Sequence, residues 1–325
     1  MRAGPALAEA KAPSVTWVLF IVGPTASGKS AWALDLAVRW NGTIVNADSR
    51  QFYQDARIGT ACPPDAWLRQ VPHRLYAFLP PDRRVSAGLY AEMARDVIRE
   101  CWRSGRLPIV VGGSGLYYRA LRYGLHPPVG ADPAVRRNLE ERHRQEGLAA
   151  LYAELRAVDP VTADRIHPND ARRVLRALEI YYRTGQPPSR WRPGWRRPVF
   201  PSVALGLLPP PQSLQERIAR RNRDFWSMGW LDEVLRLVRR GVPPEAPVWE
   251  SIGYRLIAEW WQARRPFSEA ELLTRIDRQT WDLARRQIKW FRREPDVLWW
   301  TEPPPLDVLE RFVRSRLRAQ TTWAL

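Results

Sequence analysis

One octapeptide carries the pattern of a phosphate-binding loop, two glycines separated by four residues and then Lys and Ser: Gly23, Pro24, Thr25, Ala26, Ser27, Gly28, Lys29 and Ser30. Glycines let backbone amides turn toward an anion, and the helix that follows presents the positive end of its dipole. In this pattern Lys29 reaches the terminal phosphates, and the Ser30 hydroxyl is a candidate ligand for Mg²⁺. The loop predicts a diphosphate or triphosphate ligand without saying which.

Secondary-structure elements must place this loop and the polar residues that follow it. β-branched and apolar runs predict strands at residues 14–22, 43–46, 107–111, 203–207 and 297–300, and helical spacing of apolar residues predicts helices at 30–40 and 86–103. Strands that alternate with helices predict an α/β fold with a parallel sheet. Asp48 directly follows the second strand, at the edge where such sheets bind ligands.

The composition changes after Gly124, which suggests an insertion. Residues 131–186 have the pattern of helices with charged faces, a passage rich in Pro and Arg follows, and the strand at 203–207 resumes the sheet. We therefore predict a disordered leader at 1–14 and a helical insertion domain at 131–199. Residues 15–130 and 200–325 would form a discontinuous α/β core, mostly helical after residue 214.

The charge balance favours a polyanionic partner. The chain has 51 Lys plus Arg against 34 Asp plus Glu, a net charge of +17. Only three of the basic residues are lysines, so biased base composition is the alternative explanation. Two cysteines cannot form a disulfide framework or a four-cysteine zinc site, which fits a reducing cytosol. No stretch reaches the roughly 20 apolar residues that span a bilayer.

Two tracts concentrate the positive charge. The tract at 171–200 contains arginines 172, 173, 176, 183, 190, 192, 196 and 197 against one acid, Glu179. The tract at 275–293 contains seven basic residues with Trp281, Trp290 and Phe291 between them. Basic groups pair with phosphates and aromatic rings stack on unpaired bases, as in proteins that bind single-stranded RNA loops. The alternative is that the aromatic residues are core, and for Trp281 we favour that interpretation.

Several further motifs, in order and spacing, give the chain its resemblance to a known family. They are Asp48 to Tyr53, Ile58 to Ala61, Val71 to His73, Gly112 to Tyr117, Asp132-Pro133 with Arg136, Arg165 to Asp170, Arg173 with Arg176 to Glu179, Ile252 to Arg255, and Arg286-Gln287 with Trp290 to Arg292. Together with the phosphate loop, these blocks resemble the bacterial type of tRNA dimethylallyltransferase (tRNA isopentenyltransferase).

The resemblance implies a P-loop kinase-like core with a helical insertion, Mg²⁺ as cofactor and a cytosolic location. It implies dimethylallyl diphosphate as the donor and the N6 amine of the adenine next to the anticodon of tRNA as the acceptor. We expect no membrane association and a monomer. The rival hypotheses are a small-molecule or nucleotide kinase that uses ATP at the same loop, and a non-catalytic RNA-binding protein. A relative that prenylates free adenylate fits the basic charge less well.

The resemblance also suggests roles for individual residues. Asp48 would be the general base, or alternatively a ligand of Mg²⁺-bound water. Lys29 and Arg221 would bind the diphosphate, and Ser114 would bond its bridging oxygen unless it is only a turn former. The expected tRNA contacts are Asp48, Ser49, Arg50, Gln51, Ser114, Arg136, Arg172, Arg173, Val174, Leu175, Arg176, Gly253, Tyr254, Arg255, Arg285, Arg286, Gln287, Trp290 and Arg292.

The chain departs from the family pattern at a few positions. Ser114 replaces the usual Thr and keeps the hydroxyl. Elsewhere Cys62 replaces Lys, Arg74 replaces His, Ala77 replaces Asp and Arg172 replaces Gln. We expect these differences to change the efficiency of the reaction and the details of RNA contact, and not the class of reaction.

Overall fold

The computed structural model describes residues 16–125, 130, 132–191 and 197–321. The predicted leader at 1–14, Ala131 and the arginines at 192 and 196 lie outside the described residues. The chain divides into two compact units, one made of the segments up to Arg122 and from Phe200 onward, the other Tyr123–Val199. The second unit begins eight residues before the predicted insertion, near the end of a helix that the sequence had not marked.

Six parallel strands form one sheet, in the order β3-β2-β4-β1-β5-β6. The strands are β1 (Val18–Val22), β2 (Gly42–Asn46), β3 (His73–Arg74), β4 (Leu107–Gly112), β5 (Ser202–Leu207) and β6 (Val297–Trp300). The five predicted strands are all present, and the α/β parallel-sheet class is confirmed. The edge strand β3 was not predicted, because two residues are too few to show a pattern.

Thirteen α-helices connect and cover the strands within the described residues. In the first unit they are α1 (Lys29–Arg39), α2 (Asp65–Leu68), α3 (Ala87–Arg103), α4 (Gly115–Tyr123), α9 (Pro211–Ser227), α10 (Trp230–Arg239), α11 (Tyr254–Gln262), α12 (Glu269–Phe291) and α13 (Leu306–Thr321). In the second they are α5 (Pro133–Glu146), α6 (Leu148–Val158), α7 (Pro160–Ala163) and α8 (Ala171–Thr184), followed by a 3₁₀ turn at Pro188–Trp191. A further 3₁₀ turn, Pro247–Glu250, belongs to the first unit. Within this described part, no helix is long and apolar enough to cross a membrane.

The central strands are buried along their whole length, which is why they appear in the sequence as continuous apolar runs. Leu19 and Ile21 of β1 pack in one cluster with Ile109 of β4 and Leu205 of β5. Burying such side chains stabilises the fold by roughly 1.5–3 kcal/mol each. The sheet is therefore a stable support. Because its strands are parallel, the loops that follow the four buried strands all lie at one edge.

A second cluster packs around Trp230, at the start of α10, and supports the segment after β2. The indole of Trp230 meets Tyr254 edge to face, with ring centroids 6.0 Å apart. Any side chain at Gly59 would overlap the Trp230 ring. The buried carboxylate of Glu233 accepts hydrogen bonds from three successive backbone N–H groups, at residues 57, 58 and 59, and from the Tyr254 hydroxyl. This carboxylate fixes the loop without any regular secondary structure.

The second unit has its own small core between α5, α6 and α8. Leu139, Leu151, Leu155 and Leu178 are fully buried in it. The Asp159 side chain caps α7 by accepting from the Thr162 N–H and also accepts from the Ser189 N–H, so it joins the helix to the turn that follows α8.

Candidate functional site

The phosphate loop runs from the end of β1 to the start of α1, and its two glycines set its shape. Gly23 has a φ of 149°, and a Cβ atom there would lie 2.5 Å from the carbonyl oxygen of Leu207 on β5. Gly28 has a φ of 96° and precedes the first turn of α1. Both conformations are strained for other residues, so both glycines are required. The loop backbone is thereby held against the sheet.

Side chains from two distant helices hold the loop from outside. Gln287 of α12 accepts a hydrogen bond from the Thr25 N–H at 2.8 Å. Arg221 of α9 donates to the Thr25 hydroxyl at 2.8 Å, and Arg217 of the same helix donates to the Ser27 carbonyl at 3.1 Å. Because α9 and α12 also pack against each other, they brace the loop as one support.

Positive charge is concentrated at this loop without full compensation. Lys29 donates to the Pro24 carbonyl at 3.1 Å, and burial lowers its pKa to about 8, although the nearby Asp48 carboxylate raises the pKa. Burial likewise lowers the pKa of Arg221 to about 10, opposed by Asp48 and Asp277. Burial makes the charged form of each of these side chains less stable. An anion bound nearby would stabilise that charged form. The electrostatics therefore favour an anionic ligand.

Two donor groups of the loop region lack partners among the described residues. The Ser27 hydroxyl and the Nε atom of Arg221 are both buried and make no hydrogen bond. Buried polar atoms without partners are costly, by about 1–3 kcal/mol each, unless a ligand or solvent satisfies them. A phosphate oxygen that reached either atom would satisfy it, which agrees with the ligand class predicted from the octapeptide.

Asp48 lies directly after β2, in a short turn held by the buried Asn46. The Asn46 side chain accepts from the Asp48 N–H at 2.8 Å and donates to the carbonyls of Asp48 and Leu75. Oδ1 of Asp48 accepts from the Arg50 N–H at 2.9 Å. These bonds fix the direction of the half-buried carboxylate. Asn46 was not singled out from the sequence, where it is one polar residue at the end of an apolar strand.

Ser114 lies beside this turn, because β4 is the neighbour of β2 in the sheet. The Ser114 N–H donates to the Ala47 carbonyl at 3.2 Å, and its hydroxyl oxygen accepts from the Ser49 N–H at 3.2 Å. Gly112 lies so close to Ala47 that a Cβ atom could not fit between them. The structure thus brings Ser114 and the Asp48 turn together, and electrostatic coupling links Asp48 to Lys29.

The predicted RNA contacts in the first unit differ in their accessibility. Arg286 and Arg292 are exposed, and Arg285 is exposed with a surface pair to Asp282. Arg50 is held by Glu250 at 2.9 Å and by the Pro247 carbonyl at 3.0 Å, and Arg255 donates to the Pro244 carbonyl. Gln51 bonds the carbonyls of residues 60 and 61 through its side-chain amide.

Among the predicted contacts, Tyr254 is completely buried, and its hydroxyl donates to Glu233 at 2.5 Å. Its side chain has no surface to offer to RNA. Gly253 has a φ of 86°, and a Cβ atom there would overlap the Trp230 ring. Both the backbone conformation and the packing therefore require glycine at this position. The predicted contact at Tyr254 stays a prediction that could involve only its backbone, and the family block at 252–255 supports the core around Trp230.

Trp290 and Trp281 have different surroundings on α12. The half-buried Trp290 carries the Arg119 guanidinium over its ring, 4.7 Å from the centroid, and fills the space beside Gly115. Trp281 packs against the buried cluster of Leu214, Ile218 and Ala284. The core interpretation that we favoured for Trp281 is confirmed.

The predicted contacts in the second unit lie on α5 and α8. Arg172 and Arg173 are exposed, and Arg173 makes a surface pair with Asp170 at 3.3 Å. Arg136 and Arg176 both pair with the buried carboxylate of Glu179, at 3.1 and 2.8 Å. These pairings lower the pKa of the Glu179 carboxyl against the opposing effect of burial.

Val174, a further predicted contact, has its side chain fully buried in the core of the second unit. Its side chain faces away from Arg172, since a helical residue two positions away lies on the opposite side of the helix, so the predicted contact of Val174 with tRNA stays a prediction for its backbone. Leu175 is half-buried against the same core.

Mg²⁺ prefers oxygen ligands. In proteins it is usually bound by one or two carboxylates, together with phosphate oxygens of the substrate and water molecules. The half-buried Ser30 hydroxyl in the first turn of α1 and the Asp48 carboxylate offer such oxygens. No group of three or more His, Cys, Asp or Glu side chains suited to a metal occurs in the described ranges. The residues therefore fit a Mg²⁺ ion that arrives with a diphosphate and takes most of its ligands from it.

A parallel sheet with a phosphate loop after β1, and polar turns after β4 and β2, the next two strands on one side of it, defines a P-loop-type phosphate-binding protein. The comparisons with known proteins narrow this class. The family model described as IPP transferase matches residues 51–294, and the chain belongs to this family.

Curated relatives agree over nearly the whole chain. The tRNA dimethylallyltransferase of Geobacter sulfurreducens is 40% identical over 299 residues, which are 91% of this chain and 96% of that protein. The tRNA dimethylallyltransferase of Thermomicrobium roseum is 40% identical over 307 residues, 94% of this chain and 92% of that protein. Both alignments are longer than the family-model match, which begins only after Asp48.

Solved structures show the same architecture. The full-length tRNA isopentenylpyrophosphate transferase of Bacillus halodurans superposes with a TM-score of 0.68 at 31% identity, covering 95% of this chain and 99% of that chain. A eukaryotic dimethylallyltransferase acting on tRNA gives a TM-score of 0.76 at 27% identity, covering 87% and 73%. The chain is thus an α/β member of the IPP transferase family in both sequence and fold.

Proposed function

We propose that this chain transfers the dimethylallyl group of dimethylallyl diphosphate to the N6 amine of the adenine next to the anticodon of tRNA, releasing diphosphate. The observation that carries the proposal is the meeting of the phosphate loop, the Asp48 turn and Ser114 at one sheet edge, in a chain 40% identical to tRNA dimethylallyltransferases. tRNA is the substrate that the names of these relatives give for them.

The nucleophile in this reaction is weak, because the adenine amine delocalises its lone pair into the ring. As the N6–C1 bond to the prenyl group forms, the C1–O bond breaks and its electron pair leaves with the diphosphate. One N6 proton must go to a base. Asp48 suits this role, since its carboxylate is held by the Arg50 N–H through Oδ1 and lies beside the cationic loop. General-base help of this kind is worth about 10² to 10⁴ in rate.

The leaving diphosphate gains negative charge, so donors already in place stabilise it most. Lys29, Arg221 and the loop amides supply positive charge and N–H groups at the end of β1. The Ser114 hydroxyl, which accepts from the Ser49 N–H, keeps its own proton to donate to the diphosphate bridging oxygen. Mg²⁺ on Ser30 would neutralise further charge on the diphosphate when bound.

The exposed arginines on α8 and α12 support an RNA substrate. Arg172 and Arg173 present guanidinium groups to solvent, as do Arg286 and Arg292 on and after α12. Such groups pair with backbone phosphates and release counterions. A free nucleotide has too few phosphates to use cations on several separate helices, so the distribution of charge favours tRNA over free adenylate.

A prenyl-transfer assay tests the proposal. Labelled dimethylallyl diphosphate with Mg²⁺ should prenylate a minimal anticodon stem-loop, and AMP at equal concentration should react at least about tenfold more slowly. A stem-loop in which the adenine is replaced by purine, which lacks the amine, should not react. Phosphoryl transfer from ATP to a small acceptor, with no prenyl transfer, would instead identify a kinase. The cytosolic location and the monomeric state stay predictions.

A further inference from the structure

We infer that Gln287 couples the RNA-facing helix α12 to the phosphate loop, so that RNA bound on α12 tightens the binding of diphosphate at the loop. This inference rests on the proposed function, because it takes tRNA and a diphosphate as the two ligands. It adds a residue that links their sites, which neither the loop pattern nor the basic charge assigns.

The side-chain amide of Gln287 makes two hydrogen bonds, one to each of the two segments that would contact the diphosphate. Its oxygen accepts from the Thr25 N–H of the phosphate loop at 2.8 Å, and its nitrogen donates to the Gly113 carbonyl at 3.1 Å. Gly113 immediately precedes Ser114. One side chain therefore fixes the distance between the loop that would bind the phosphates and the turn that would bind the bridging oxygen.

The Gln287 amide has almost no room to move. The residue is 8% exposed, and a Cβ atom at Gly113 would overlap its amide nitrogen. On α12 it continues a buried stripe formed by Ile276, Thr280, Ala284 and Phe291. A displacement of the helix must therefore be transmitted to Thr25 and Gly113, because the amide cannot slide between them.

The opposite side and one flank of the same helix carry the positive charge, with Arg286 on the flank. Arg278, Arg285, Arg286 and Lys289 are exposed, and Arg292 and Arg293 continue the basic surface beyond the last turn. Gln287 lies two residues after Arg285, which is about 200° around the helix. Phosphates bound by the arginines and the loop bonded by Gln287 would thus act on opposite faces of one rigid element.

The sign of the coupling follows from this arrangement. RNA held on the basic face restrains α12, and through Gln287 it restrains the loop in the conformation that the diphosphate also requires. The second ligand then has less conformational freedom to remove, so it binds more tightly. Two hydrogen bonds of ordinary strength support a coupling of about three- to tenfold, and linkage makes the effect equal in both directions.

The test measures the dissociation constant of inorganic diphosphate with Mg²⁺ by calorimetry, with and without a saturating anticodon stem-loop. In the unaltered protein the RNA should tighten diphosphate binding about three- to tenfold. Gln287→Leu removes both bonds at similar volume and should bring this ratio close to one. Gln287→Glu keeps an acceptor for the Thr25 N–H and loses the donor to Gly113, so its ratio should be intermediate.

Gln279→Leu is the matched control, since Gln279 is an exposed residue of the same type two turns earlier on α12. It should keep the ratio of the unaltered protein. A merely structural role for Gln287 would lower the melting temperature and weaken diphosphate binding equally with and without RNA, leaving the ratio unchanged. If Gln287→Leu does not fold, Gln287→Glu still decides the question through the same ratio.

A ratio of one in the unaltered protein, or an unchanged ratio in both Gln287 variants, would overturn the inference. Failure of the proposed function is seen separately, in the prenyl-transfer assay on the same stem-loop. Transfer without coupling would refute only the role of Gln287. Coupling without transfer would leave that role intact and refute the proposed chemistry.

Discussion

We expect the charge of Lys29 to control how well the loop binds a diphosphate, and burial makes that charge sensitive to pH. Its pKa is lowered from 10.5 to about 8, chiefly by burial. The protonated fraction is then about 90% at pH 7 and about 10% at pH 9. We therefore expect kcat/KM for dimethylallyl diphosphate to fall about tenfold between pH 7 and pH 9, because this parameter reports the free enzyme.

The donor-saturated enzyme gives an internal control. A bound diphosphate raises the pKa of the Lys29 ammonium, since opposite charges close together favour the charged form. The kcat measured at saturating donor should therefore stay level to a higher pH than kcat/KM. Lys29→Arg should remove the fall near pH 8, because a guanidinium keeps its proton in this range.

The stability of the fold should respond with the opposite sign. Between about pH 8 and 10.5 the unfolded chain holds a proton on Lys29 that the folded protein has released. The contribution of this residue to the free energy of unfolding consequently rises with pH through that window. A flat kcat/KM profile from pH 7 to 9.5, or the same fall in Lys29→Arg, would show that Lys29 does not set the charge of the loop.

Four further variants and one ligand comparison test other parts of the protein. Asp48→Asn should lower kcat at least about 10²-fold with little change in donor or RNA binding, whereas weaker donor binding rescued by Mn²⁺ would indicate a role in metal binding. Replacing Arg172 and Arg173 with Ala should flatten the slope of log tRNA affinity against log salt by about 1.4–1.8 units. Arg176→Ala should mainly lower the melting temperature, because Arg176 pairs with buried Glu179. Dimethylallyl diphosphate with RNA should raise the melting temperature, and equal ATP should do so far less. Ala77→Asn should raise the free energy of unfolding by about 0.5–1 kcal/mol, since Ala77 has a φ of 46° and Asn adopts the left-handed region more readily.

Much of the fold could be predicted because its signals are local. The strands at Val18–Val22 and Leu107–Gly112 are buried on both faces, so their sequences are apolar throughout. The start of the helix at Ala87–Arg103 is indicated by Ser86, whose side chain caps it. The edge strand at His73–Arg74 has no such signal, because its pairing depends on β2 rather than on its own residues.

The positions of the candidate catalytic residues in the fold were predictable in the same way, and the side chains that support them were not. Asp48 and Ser114 follow strands, and parallel strands bring such turns to one edge. Gln287 is 262 residues from Thr25 and lies within a basic tract, so the sequence suggested an RNA contact. Only the packing of α12 shows that it bonds the phosphate loop. Glu233 is similar, since nothing in α10 marks it as the acceptor for the backbone of residues 57–59.

Two departures from the family pattern meet at one atom, the carbonyl oxygen of Gln51. The Cys62 thiol donates to this oxygen at 3.5 Å, and the Ala77 N–H donates to it at 2.9 Å. Burial raises the pKa of Cys62 to about 11, so the thiol stays neutral where the family usually has a charged lysine. The Ala77 contact uses only the backbone, so it does not depend on the side chain. The departure at Cys62 therefore acts on how the segment after Asp48 is held, whereas the departure at Ala77 leaves its backbone bond in place. Both departures leave the phosphate loop, and with it the class of reaction, unchanged.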